Sequence, residues 1–193
     1  MILYVTRHGE TDYNAQGRYA GSTDVPLNDC GLNQAKELAQ KLVSVHFDVI
    51  VASPLTRAKQ TAEIVRGMSG IPIVFDARLA ERNMGVYEGL TREEARERYP
   101  KTWAKLGAKS PDDAPEGGET IGQVDARVTA ALERIETEYG DKSVLVVCHG
   151  FVSRIINRYF TGLSYDEMHA FTLENCGIVQ YELSIGGYPL CSK

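Results

Sequence analysis

Three short stretches supply side chains suited to handling a phosphoryl group. "LYVTRHGETDYN" carries Arg7, His8, Gly9 and Asn14; "ASPLTRAKQTA" carries Ser53 and Arg57; "VVCHG" ends in His149 and Gly150. A guanidinium offers a planar fork of donors that matches phosphate oxygens. Neutral imidazole can attack phosphorus and carry the phosphoryl group covalently. Nearby arginines disfavour imidazolium and so help keep the ring neutral. A fourth stretch, "LAERNMGVYEGL", adds Glu81 and Glu88. A carboxylic acid can protonate a leaving oxygen and, once ionised, take a proton from attacking water. Asn14 can donate one more hydrogen bond, and Gly9 and Gly150 permit close backbone approach.

Each residue alone has a plainer reading. Arg-His-Gly is usually a solvated loop, and an arginine on a helix, such as Arg57, is usually a surface cation. Glu81 has Arg78 and Arg82 as simple ion-pair partners, and His149 reads equally as a satisfied core histidine. His46 and His169 lack any such company and keep the plain reading. Met84, Tyr87, Trp103 and Tyr19 suit a pocket wall but more often simply pack.

The elements that position these groups decide between the readings. Residues 1–6 and 71–76, with Val49 to Val51 between them, read as short buried strands. "SVLVVCHG" reads as the most apolar strand, and "GIVQYELS" as a closing one. Between them, apolar residues recur at helical spacing over 27–45, 55–70, 120–140 and 151–162. Asn28 or Asp29 is available to cap the first of these helices. "TREEARERYP" reads as an exposed helix stopped by Pro100, and "KSPDDAPEGGE" as a loop.

This alternation predicts an α/β fold, a three-layer sandwich with a mostly parallel sheet and helices on both faces. One domain spans 1–193, with 78–119 as a small inserted partial lid. Ligands of such sheets sit beyond the carboxyl ends of the strands. That rule would gather Arg7, His8, Arg57, His149 and Gly150 from three strand ends into one cleft. Helix N-termini after Pro54 and Gly150 would add backbone N–H groups there.

Composition narrows the alternatives. Of 193 residues, 43% are hydrophobic and 24% charged, with a net charge of -5, which suits a domain with a substantial core. The acidic balance argues against nucleic acid as a partner. Cys30, Cys148, Cys176 and Cys191 form no CxxC pair and no Cys/His cluster, so reduced thiols are expected, with no metal site. Without a secretory leader or a long apolar run, a cytoplasmic location is expected, with no membrane partner.

On "TRHGET" with Asn14, "GSTDVPLNDCGLNQA", "SPLTRAKQTA", "ERNMGVYEG", "PEGGET" and "VVCHG", the chain resembles the histidine phosphatase superfamily. The resemblance covers nearly the whole chain. It implies that His8 is the phosphorylated nucleophile and that Glu81 is the acid/base. It further implies that Arg7, Arg57 and His149 hold the phosphoryl group, with Asn14 assisting, without metal or cofactor. Mutases of this family tend to be longer, with an arginine pair in an insertion and His-Gly-Asn at the second histidine. Here no Arg-Arg pair occurs up to Gly140, and Phe151 follows His149-Gly150. The short lid and "GVYEG" look more like the phosphatase branch. The expected function is therefore hydrolysis of a small phosphorylated metabolite. A cofactor-dependent phosphoglycerate mutase is the first alternative, and a catalytically silent phosphate-binding regulatory module is one of another class.

Overall fold

The computed structural model describes residues 1–106, 110–183 and 189–190. Six strands run through it: β1 (Ile2–Arg7), β2 (Val49–Ala52), β3 (Ile73–Phe75), β4 (Ser143–Cys148), β5 (Ile178–Leu183) and β6 (Pro189–Leu190). The helices are α1 (Asp12–Ala15), α2 (Asp29–Lys41), α3 (Thr56–Arg66), α4 (Arg92–Arg98), α5 (Pro100–Leu106), α6 (Ile121–Tyr139) and α7 (Gly150–Thr161). Cys191 and Ser184, the last residue of the expected closing strand, lie outside the described residues, as does Lys109 of the expected loop.

The strands form one sheet in the order β3-β2-β4-β1-β5-β6. β3, β2, β4 and β1 pair in parallel, and β5 and β6 add antiparallel at one edge. Side chains alternate across a strand, and here they sort into two cores. Val144, Val146 and Cys148 of β4 join Val49 and Val51 of β2 and the apolar faces of α6 and α7. Leu145 and Val147 join Ile50, Ala52 and residues of α2 and α3, among them Leu38, Ala58 and Ala62. Both faces of the central strands are covered, which explains why they read as unbroken apolar runs.

Helix starts follow local chemistry. Asn28 caps α2, accepting from the Gly31 N–H at 2.8 Å, and Thr120 caps α6 in a capping box with Gln123. Between Asp76 and Glu119 the chain makes two 3-10 turns and the short helices α4 and α5. Pro100 does not merely stop α4. Tyr99 is its C-cap, and Pro100 opens α5, where its missing N–H costs nothing. Tyr87 is fully buried between Tyr19, Tyr99 and Trp103. That aromatic cluster ties this segment to the 19–24 loop.

Candidate active site

Strand register brings the two histidines together. Arg7 of β1 pairs with Cys148 of β4, and the His8 N–H donates to the Cys148 carbonyl at 3.0 Å. The chains leave the sheet side by side there, and the His8 and His149 rings lie 5.0 Å apart. β2 flanks β4 on its other side, where the Ser53 N–H donates to the Val147 carbonyl.

His8 is 3% exposed. Its Nδ1 lies 2.6 Å from the Gly9 carbonyl. A carbonyl only accepts, so Nδ1 carries the proton and Nε2 keeps its lone pair, with no acceptor or donor among the described residues using it. Burial first, then the charges of Arg57 and Arg7, hold the imidazole well below its ordinary pKa range, against a weaker upward pull from Gly9. The ring is therefore neutral and has a free nitrogen at neutral pH.

Arg57 is not a surface cation; it is 1% exposed. Its Nη1 and Nη2 donate to the Thr23 and Gly21 carbonyls at 2.9 and 2.8 Å, and Nε donates to His149 Nδ1 at 3.2 Å. His149 Nδ1 must then be the acceptor, so its proton sits on Nε2 and goes to Ser53 Oγ at 2.7 Å. Burial, Arg57 and His8, in that order, depress the His149 pKa as well. His149 is adjacent to His8, yet both of its nitrogens are engaged within the protein and it does not line the cavity.

Arg7 lines the cavity with its Nε buried and unpartnered, while its Nη1 reaches the Leu173 carbonyl at 3.3 Å. Gly150 stands against it: a methyl group there would lie 3.6 Å from Arg7 Nε. Glu81 also lines the cavity. Its two oxygens accept from the Arg82 and Phe151 backbone N–H groups at 2.9 and 3.1 Å. The N-terminus of α7 thus receives a carboxylate, and the Arg78 and Arg82 side chains do not pair with it. Asn14 Oδ1 accepts from the Thr11 N–H and hydroxyl. Its Nδ2 stays available where Asn14 lines the cavity.

Two expectations change. Gly9 is not among the residues lining the cavity; its backbone packs on Gly31 at the start of α2, where a methyl on either residue would strike the other segment's backbone. The helix start after Pro54 does not face the cavity chemistry either. Asp24 takes both the Thr56 N–H at 2.7 Å and its hydroxyl at 2.8 Å.

Glu88 does not line the cavity. It accepts from the N–H groups and hydroxyls of Ser22 and Thr23 and from the Met84 N–H, over 2.5 to 3.1 Å. Gly21 can approach it only because it has no side chain, and it adopts a positive φ of 53°.

Several participants escaped sequence reasoning. Thr61, one turn after Arg57 on α3, accepts from the Gly9 N–H and donates to the Arg57 carbonyl. Asn175 donates to the His8 carbonyl at 2.8 Å. Arg127 of α6 donates to the carbonyls of Arg78, Ala80 and Glu81 and so fixes the backbone that carries Glu81. The helical i, i+4 spacing from Arg57 was the one available signal for Thr61. The cavity itself encloses about 490 Å³, and Tyr19, Met84, Trp103 and His169 contribute to its wall.

Known proteins resemble this chain in sequence and in fold. The family model described as "Histidine phosphatase superfamily (branch 1)" matches residues 3–190. The "Uncharacterized phosphatase PhoE" of Bacillus subtilis is 38% identical over 76% of this chain and 70% of its own. The "Probable phosphoglycerate mutase GpmB" of Escherichia coli O1:K1 is 34% identical over 96% of this chain and 87% of its own. Among solved structures, the α-ribazole phosphatase from Shigella flexneri superimposes with a TM-score of 0.89 at 26% identity, covering 96% of this chain and 92% of that one.

Proposed function

The chain belongs to branch 1 of the histidine phosphatase superfamily, and from that footing we propose that it is a phosphomonoesterase working through a phosphohistidine at His8. The observation that carries the reading is the state of His8: a neutral ring, protonated on Nδ1 by virtue of its bond to Gly9, with a free Nε2 beside Arg7 and Arg57. In the first step the Nε2 lone pair forms the N–P bond while the ester P–O bond breaks. The leaving oxygen takes a proton from the Glu81 carboxyl. In the second step Glu81, now a carboxylate, takes a proton from water as its oxygen bonds to phosphorus. The N–P bond breaks, its electron pair returns to Nε2, and free phosphate leaves.

Arg7, through its unpartnered Nε, Arg57 and the Asn14 amide hold the phosphoryl oxygens, with Gly150 keeping the approach clear. His149 acts through Arg57, whose fork it helps to aim. Charge on phosphorus is met by guanidinium groups and the nucleophile is an imidazole, so no step calls on a metal or cofactor. We read 78–119 as a partial lid, because Arg82, Met84, Arg92 and Trp103 reach the cavity from it. The substrate is a small phosphorylated metabolite. Among the described residues no helix is long and apolar enough to cross a membrane, and we place the enzyme in the cytoplasm.

The similarity to the probable phosphoglycerate mutase GpmB keeps a mutase as the second reading. A rapid-quench experiment separates the readings. Incubation with 32P-labelled p-nitrophenyl phosphate should leave an acid-labile label on the protein, release free phosphate after chelation of metals, and give neither with His8→Ala. A full label in His8→Ala moves the nucleophile elsewhere. Isomerisation of a phosphoglycerate without net phosphate makes the enzyme a mutase. Binding of phosphate with no turnover leaves the silent regulatory module.

A further inference from the structure

The loop that carries Glu81 has no regular structure of its own. Residues 80–84 belong to no helix or strand, so no ladder of backbone bonds fixes them. Polar backbone groups in such a stretch take their partners from elsewhere. Here one side chain of α6, Arg127, supplies several, together with the carboxylate it holds, Glu119.

Arg127 presents five N–H groups in a rigid fork, and each has an acceptor. Nε and one Nη2 proton go to the two Glu119 oxygens at 2.8 and 2.9 Å. The Nη1 protons go to the Arg78 and Ala80 carbonyls at 2.7 and 2.6 Å, and the other Nη2 proton goes to the Glu81 carbonyl at 3.2 Å. Glu119 extends the hold. Its Oε2 also accepts from the Asn83 N–H at 2.8 Å, its own N–H donates to the Asn83 carbonyl at 3.0 Å, and its carbonyl accepts from Arg82 Nε at 3.0 Å. Gly118 lies so close that a methyl group on it would strike the Asn83 carbonyl. Burial pushes the Glu119 carboxyl upward, but the bonds from Arg127 and the Asn83 N–H outweigh it and hold the group below its ordinary range. The pair is therefore ionic at neutral pH, with side chains only 19% and 27% exposed.

The consequence reaches the cavity. Glu81 is aimed by two backbone N–H groups, that of Arg82 within this loop and that of Phe151 on α7. Val152, Ile155 and Ile156 pack α7 into the core, so the Phe151 donor is fixed. The carboxyl meets both donors only while residues 80–83 keep their place relative to α7, and Arg127 and Glu119 set that place.

We propose that Arg127 and Glu119 are positioning residues for proton transfer: acting through the 80–83 backbone, they keep the Glu81 carboxyl aimed at the leaving oxygen. Neither lines the cavity, so neither touches substrate. The inference rests on Glu81 being the acid/base of the phosphatase reading, and the experiment separates the two. A misplacement of about 1 Å can cost about a hundredfold in rate. Loosening the pair should therefore slow a substrate whose leaving oxygen needs a proton and spare one whose leaving oxygen does not.

The variants are Arg127→Lys, which keeps the charge but not the fork, and Glu119→Gln, which keeps the size but not the charge. Circular dichroism first sets a temperature at which both are folded; Glu119→Asp replaces a variant that does not fold. Single-turnover quench measurements on the full chain then compare an alkyl phosphate with p-nitrophenyl phosphate, beside Glu81→Gln. Each variant should slow the alkyl phosphate by about tenfold or more, while phosphoenzyme formation from p-nitrophenyl phosphate and inhibition by inorganic phosphate change by less than about threefold. Added to Glu81→Gln, either should cost little more, because the group it aims is gone. Equal slowing of both substrates, or losses that add in full to that of Glu81→Gln, would leave the pair a structural support and overturn the inference. If Glu81→Gln shows the leaving-group dependence and the pair variants do not, the positioning role alone falls. If Glu81→Gln itself lacks it, the acid assignment falls and the positioning role with it.

Discussion

Arg57 donates its Nε–H to Nδ1 of His149 across 3.2 Å, with both side chains almost wholly buried and only Arg57 reaching the cavity wall. The bond fixes the histidine's tautomer and the arginine's orientation together, since a guanidinium can only donate. His149→Ala should therefore act as a partial Arg57 defect. Arg57→Ala should lower turnover by about a hundredfold, the usual loss when one charged donor to a developing anion is removed. It should weaken vanadate inhibition in parallel. His149→Ala should fall between wild type and Arg57→Ala, and adding it to Arg57→Ala should cost little more. Steady-state rates and vanadate inhibition of the four proteins check this. Fully additive losses would mean that His149 acts on substrate independently of Arg57.

Glu88 reaches Arg57 from the other side. Its carboxylate gathers Ser22 and Thr23, and the carbonyls of Gly21 and Thr23 hold the Arg57 Nη groups. Glu88→Gln would set an amide donor against these N–H and hydroxyl groups. The loss of stability should be about 0.5–1.5 kcal/mol, the usual net worth of a hydrogen bond, because the Ser22 donors are exposed and the Thr23 donors only partly buried. Vanadate inhibition should weaken, and rates should fall equally for substrates with good and poor leaving groups. Chemical denaturation and a two-substrate comparison measure it. A variant as stable as wild type would show that the loop does not depend on Glu88.

Acid should destabilise the fold in two stages. Burial depresses the pKa of His8 and His149, so the unfolded chain binds protons at those sites where the folded chain does not. Their contribution is present above the ordinary imidazole value of about 6.5 and is lost progressively as pH falls below it. Glu88 follows lower down: burial raises its pKa, but hydrogen bonds from Thr23, Ser22 and Met84 outweigh this. Its contribution is lost as pH falls through the carboxylate range. Denaturation midpoints at pH 7, 6 and 5 should drop for wild type and drop less for His149→Asn. Equal slopes would mean that His149 is protonated in the fold.

The sheet was legible because its central strands are apolar on both faces and so stand out from every flanking segment. The two histidines were legible because a parallel sheet delivers its strand ends to one edge. Their supports were not. Asn175 lies 167 positions from His8, and no local pattern marks it. Arg127 sits in an amphipathic helix, where an isolated cation reads as the solvated face. Helix α5 was hidden by Pro100, since a proline that ends one helix can equally begin another. Glu81 was legible as a carboxylate in the right loop, whereas its orientation depends on the Phe151 N–H, contributed by a helix far along the chain.

That orientation sets the final test, which separates the roles of the two carboxylates. Glu81 faces the cavity with both oxygens held by backbone N–H groups, while Glu88 is enclosed by the 21–24 loop. If Glu81 protonates the leaving oxygen, Glu81→Gln should slow an alkyl phosphate by about a hundredfold or more, within the usual range for general acid catalysis. It should slow formation of phosphoenzyme from p-nitrophenyl phosphate far less, because nitrophenolate leaves with little need of a proton. Return of the phosphoryl group to water still needs a base, so phosphohistidine should accumulate on Glu81→Gln during turnover of the aryl substrate. Single-turnover quench measurements resolve the two steps. Equal slowing of both substrates without accumulated phosphoenzyme would remove Glu81 from proton transfer. If Glu88→Gln then showed the leaving-group dependence, the assignment would reverse, and the 21–24 loop would have to open during catalysis to bring Glu88 to the substrate.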